Sequence, residues 1–131
     1  MGSYTIDEAA FPLVRIRYDG IVSDEEFARH LEAYGALVER GARYGVLFDA
    51  TTAGRPPATQ RRMMAEFMRR RRDELARRCV GGAFVITSPL IRGAMTAILW
   101  VAPMPFQHVI VSSAAEAEGW VRGRLQAEGL L

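Results

Sequence analysis

Asp49, Thr51, Thr52 and Arg55 bring a carboxylate, two hydroxyls and a guanidinium into one short stretch of chain. A threonine hydroxyl can accept a phosphoryl group, which adds negative charge and three strong acceptor oxygens. The stretch therefore offers a switch: phosphate on Thr51 or Thr52, held by Arg55 and by the N-terminus of the helix that follows. The competing reading is that these threonines only shape a turn. Arg71 is a second candidate, as a contact for an anion or other ligand. At 100° per residue it falls inside the apolar stripe made by Met64, Phe67, Met68 and Leu75. A charge on an apolar face must snorkel to water, pair, or meet a ligand, and snorkelling is the simplest of these.

Other reactive residues do not converge. His30, His108 and Cys79 lie far apart, and neither H-x-x-x-H nor C-x-x-C occurs. No catalytic residue, metal site or cofactor is expected on that basis. A lone cysteine beside an apolar strand reads as core. Met63, Met64, Met68, Met95 and Met104 read as core filler, or as the lining of an apolar ligand cavity. From Arg55 to Arg78 nine arginines stand against Glu66, Asp73 and Glu74, a local charge of +6 in a chain of net charge +2. The run Arg69 to Arg72 could meet nucleic acid or phosphate. However, Arg62–Glu66, Glu66–Arg70, Arg69–Asp73, Arg70–Glu74, Asp73–Arg77 and Glu74–Arg78 are all spaced i,i+4, as on a solvated helix laced with ion pairs. Without interleaved aromatics or a glycine-rich loop, nucleic acid is not an expected partner.

The elements that must position these residues follow from periodicity. Tyr4 to Ile6 is a short first strand, and Leu13 to Tyr18 alternates apolar and basic residues like a strand with one wet face. Ser23-Asp24-Glu25-Glu26 is a capping box, followed by Phe27, Leu31, Tyr34 and Leu37–Val38 at helical spacing, with Gly41 as the stop. Tyr44 to Asp49 is a nearly continuous apolar run, typical of a strand buried on both faces, with Asp49 at its carboxyl end, where open α/β sheets gather ligands. A loop over Thr51 to Pro57 leads to a helix from about Ala58 to Cys79. Val80 to Ile86 is another buried strand, and Ser88-Pro89 starts a helix over Leu90 to Val101 that Pro103 and Pro105 end. His108 to Val111 is the last strand, and Ser113 to Glu116 is a second capping box, opening a final helix with Ala117, Trp120, Val121 and Leu125. The strands over Val46–Phe48, Ala83–Ile86 and Val109–Val111 are expected to be buried and central.

The 131 residues, half of them hydrophobic, suit one globular domain over 1–131. All 17 basic residues are arginine, and the chain has no lysine or asparagine, which fits a GC-rich bacterial genome. A single cysteine permits no internal disulfide. The most apolar stretch, Ala94 to Phe106, is broken by prolines and is too short to span a bilayer, and no signal peptide is apparent. A cytoplasmic protein is expected.

The order ββαβαβαβα, an α/β mixed but mostly parallel sheet of about five strands with about four helices, resembles the STAS superfamily of sulfate transporters and anti-sigma-factor antagonists. The likeness is to its SpoIIAA-like branch, which is also related to the CRAL-TRIO lipid-transfer fold. It rests on Val14 to Phe27 with Tyr18-Asp19-Gly20 before the helix cap, on Val46 to Asp49, on Ala83 to Ile86, and on His108 to Val111 followed by Glu116 to Val121. In antagonists of the superfamily, an aspartate after the third strand precedes a serine that a kinase phosphorylates. Asp49 matches the aspartate, but Ala50 stands where the serine should be. The resemblance implies a non-enzymatic regulatory or protein-interaction module without the usual phosphoacceptor, acting on a protein partner whose identity the sequence does not name. The alternative is a binding protein for a small apolar or anionic, lipid-like ligand. The helix Leu90 to Val101 carries one charge, Arg92, and apolar residues well round its cylinder. Because large exposed apolar patches are rare on monomers, a homodimer through this helix or Pro103–Phe106 is expected.

Overall fold

The computed structural model describes residues 2–131. Its strands are β1 (Ser3–Asp7), β2 (Leu13–Gly20), β3 (Tyr44–Ala53), β4 (Cys79–Val85) and β5 (His108–Val111). Its helices are α1 (Asp24–Glu39), α2 (Ala58–Arg70), α3 (Arg72–Arg78), α4 (Pro89–Val101) and α5 (Ala114–Ala127). The strands form one sheet in the order β1-β2-β3-β4-β5. β1 is antiparallel to β2, and every other pair is parallel.

Period-two alternation along the central strands sends side chains to two different layers. Val14, Ile16, Val46 and Phe48 join the core beneath the helices that follow β2 and β3. Leu13, Leu47, Ala83 and Val85 face α5, packing on Ala117, Val121 and Leu125. A Cβ at Gly45 would stand 2.7 Å from Val121, so glycine is what lets α5 lie so close to the sheet. The caps of two helices follow the sequence. Ser23 Oγ accepts from Glu26 N at 3.1 Å and Ser113 Oγ from Glu116 N at 3.2 Å. Gly41, the expected stop of α1, has φ +83°.

Four expectations are corrected. The helix expected over Ala58 to Cys79 is two helices, making five in all; it breaks at Arg71, whose φ of −107° and ψ of 17° leave the helical region. At the break the guanidinium reaches carboxylates on α1 and α3 rather than lying along the apolar stripe. Secondly, Thr51 and Thr52 belong to β3, which pairs with β2 as far as Ala53. Thirdly, Leu47 and Val85 are buried at 4% and 0% exposure, but β5 is an edge strand, and Val109 to Val111 are only half-buried. β2 takes the third central place, paired with β1 and β3, and its arginines face a cleft bordered by α5. Finally, among the described residues none of the six i,i+4 pairs of the arginine-rich segment closes. Two of them span the break, and Glu74 turns to Arg71.

Candidate functional site

The end of β3 sends its residues in opposite directions. Asp49 faces the α5 side, where it lines a polar cleft with Asp7, Arg15, Arg17 and Glu118. Its Oδ1 accepts hydrogen bonds from the Thr51 backbone N–H at 3.0 Å and the Thr51 hydroxyl at 2.7 Å. Thr51, Thr52 and Arg55 are exposed. Ala50 points the other way. It is buried at 8% exposure, packs with Ile86 and Ile91, and lines an apolar cavity.

That cavity has a volume of about 160 Å³ and lies between the sheet and helices α1, α2 and α4. Parallel, in-register pairing sets Phe48 of β3 beside Phe84 of β4. Their rings stack at 4.5 Å with an interplanar angle of 8°, and Tyr18 of β2 continues the stack 6.3 Å from Phe48. Phe27 and Tyr34 close the cavity from α1, Met64 and Met68 from α2, and Met95 and Leu99 from α4. Of the methionines that read as core filler or cavity lining in the sequence, Met64, Met68, Met95 and Met104 line the cavity, while Met63 packs against the core.

A buried polar side chain interrupts this lining beside Arg61. Gln60 of α2 is 1% exposed. Its Nε2 donates to Val22 O at 2.9 Å and to Asp24 Oδ1 at 3.0 Å. Those partners are acceptors and fix the orientation of the amide. Its Oε1 is buried without a hydrogen-bond donor. An orphaned buried acceptor costs about 1–3 kcal/mol. Sequence reasoning passed over Gln60, although one signal was there: it lies 40° from Met64 on the apolar stripe of α2.

The buried ionisable groups are held neutral. Burial pushes the Cys79 thiol up to about 12, too high for a thiolate nucleophile near neutrality. Its Sγ contacts Gly81 O at 3.5 Å. Burial pulls His30 down to about 4, and its Nε2 lies 3.3 Å from the Tyr18 hydroxyl. Tyr34 and Tyr44 share a buried 2.7 Å hydrogen bond, and desolvation raises both pKa values. Arg71 lies outside the cavity. Its guanidinium pairs with Glu39 at 2.9 Å and Glu74 at 3.2 Å and lies 5.6 Å from the Phe67 ring centroid. Its charge is met within the chain.

On the outside of α4, Leu90, Trp100 and Val101 are 66%, 86% and 55% exposed. With exposed Gly93 and Ala97 between them on the helical projection, they make one apolar strip. The flank of the helix next to this strip, with Ala94 and Ile91, is buried. Among the described residues no helix is long and apolar enough to cross a membrane.

Neither protein-family models nor curated proteins match the sequence. Solved structures do match the fold. An uncharacterised DUF3478-family protein with a SpoIIAA-like fold from Shewanella loihica PV-4 superposes with a TM-score of 0.66 at 11% identity, over 92% of this chain and 93% of that one. The anti-sigma factor antagonist SpoIIAA in its unphosphorylated form gives 0.66 at 13% identity, over 92% and 99%. An anti-sigma factor antagonist from Mycobacterium paratuberculosis gives 0.58 at 11% identity, over 93% and 95%. The chain has a SpoIIAA-like fold.

Proposed function

We propose that this SpoIIAA-like chain is a non-enzymatic regulatory module that works by docking a protein, and that the protein docked through α4 is a second copy of itself. The observation that carries the reading is the apolar strip of Leu90, Trp100 and Val101, with Trp100 86% exposed. Leaving a tryptophan in water forgoes the largest apolar burial any side chain offers, and tryptophan is a favoured anchor of interfaces. Gly93 and Ala97 leave the middle of the strip low, so two α4 helices can cross closely about a two-fold axis. That two of the similar structures are anti-sigma factor antagonists supports a regulatory role for such a surface.

Light scattering at micromolar concentration tests the dimer. The expected mass is twice 14.6 kDa, and a clean 14.6 kDa species refutes it. Trp100→Glu is expected to return the protein to monomer with its circular dichroism unchanged.

The switch in this reading does not run through position 50. Ala50 has no hydroxyl and its methyl group is buried. A phosphate placed on the chain in its own cell belongs on exposed Thr51 or Thr52, beside Asp49 and before exposed Arg55. Phosphopeptide mapping of natively purified protein checks this. Phosphate found elsewhere, or nowhere while a candidate kinase is active, counts against the switch and leaves the dimer reading standing.

A further inference from the structure

We infer that the cavity is a binding site for a small neutral amphiphile: an apolar body of roughly benzene size bearing one hydroxyl or N–H that donates to Gln60 Oε1. Two independent observations meet here. The first is the space, about 160 Å³ walled by the Tyr18–Phe48–Phe84 stack and by methionines of α2 and α4. Cavities of about this size with apolar walls take up single aromatic molecules. The second is the Gln60 amide. Both bonds that anchor it leave through Nε2, to Val22 O and Asp24 Oδ1, so the oxygen is the part left over in a side chain that lines the cavity at 1% exposure.

An acceptor without a donor states what the ligand must bring. A carboxylate or phosphate would set a second acceptor against Oε1. Arg61, the one charged residue in the lining among the described residues, donates from Nη1 to Pro56 O at 2.6 Å, and nothing shown turns its remaining N–H groups towards Gln60 Oε1. A cation would be buried with no carboxylate in the lining to meet it. A neutral hydroxyl or N–H satisfies Oε1 without either cost. Water answers less well, because a buried water needs about 2–4 polar partners. Two of the tyrosine hydroxyls in the lining are already engaged, Tyr34 with Tyr44 at 2.7 Å and Tyr18 with His30 at 3.3 Å.

The site does not depend on the dimer: it is lined by residues of one chain, and its test reads ligand uptake rather than mass. Calorimetry and amide-resolved NMR titration of the full chain would use phenol and toluene as probes, which differ by the one donor. Phenol is expected to bind at least as tightly as toluene, shifting amides of β3, β4 and α4 around the cavity. In Gln60→Leu the phenol affinity is expected to fall about tenfold while toluene is retained, the loss of one hydrogen bond to a buried acceptor. Ala50→Leu, which pushes a side chain into the cavity, is expected to abolish uptake of both probes with the fold intact by circular dichroism. If the glutamine variant fails to fold, the comparison of probes on the wild type and the Ala50→Leu variant decides the matter. Uptake of toluene but not phenol by the wild type, uptake of neither, or unchanged phenol binding in Ala50→Leu would each overturn the inference.

Discussion

Tyr44→Phe deletes one hydroxyl from a pair that has no access to water. Tyr44 is 0% and Tyr34 6% exposed, and their oxygens are 2.7 Å apart. The phenylalanine ring would fill the same space, so no cavity opens and the cost is electrostatic. The Tyr34 hydroxyl is left in an apolar setting between Phe48 and Phe67, whose centroids lie 6.4 and 5.8 Å from its ring. An unsatisfied buried hydroxyl costs about 2 kcal/mol, which for a domain of this size lowers Tm by about 8 °C. Tyr34→Phe should cost less, about 1 kcal/mol, because the Tyr44 hydroxyl keeps a contact with the Cys79 thiol. The double variant removes both polar groups together and should lie within about 1 kcal/mol of the wild type. The coupling energy is then about 2 kcal/mol, measured by urea unfolding of all four proteins in a double-mutant cycle. If the double variant loses the sum of the two single losses, the hydroxyls do not depend on each other and the reasoning fails.

His30 makes stability depend on acid. Its folded pKa is about 4 against an ordinary 6.5, so the unfolded chain takes up its proton first as pH falls. The contribution is full above pH 6.5, is lost as pH falls from 6.5 towards 4, and amounts to about 3 kcal/mol; urea midpoints at pH 7 and 4.5 should show it, and His30→Leu should flatten the difference. Gly45→Ala should cost about 1–3 kcal/mol, because its methyl would press on Val121 in a packed layer. Gly119→Ala on α5 meets nothing within 4 Å and should add about 0.5–1 kcal/mol; thermal melts that rank the two in the other order would contradict the packing of α5. Arg71→Met should cost about 1 kcal/mol, and less at 1 M salt, since it breaks the pairs with Glu39 and Glu74. Phosphate should stabilise the wild type no more than chloride at equal ionic strength, and a larger effect abolished by Arg71→Met would make Arg71 an anion contact.

Much of this architecture is legible in local pattern. The strand order along the chain, the serine caps of α1 and α5, the stop at Gly41 and the burial of Leu47 and Val85 all follow from periodicity and end-group chemistry, which act over a few residues. The opposition of Ala50 and Asp49 needs more than the pattern, because adjacent residues point to opposite faces only within a strand, and β3 runs on to Ala53, past the Asp49 at which the apolar run ends. Other features depend on partners distant in sequence. Whether β5 lies inside the sheet or at its edge is decided by whether another strand pairs beyond it, and its own apolar run carries no mark of that. The break at Arg71 coincides with a carboxylate on α1, Glu39, that the helical periodicity of residues 58–79 does not contain. Gln60 is the plainest case. Its type and position are visible in the sequence, but its role depends on Val22 and Asp24, 38 and 36 residues away, which take both bonds through nitrogen. The cavity beside it is the space that α1, α2, α4 and the sheet leave unfilled together, and an orphaned oxygen exists only once that packing has shut the water out.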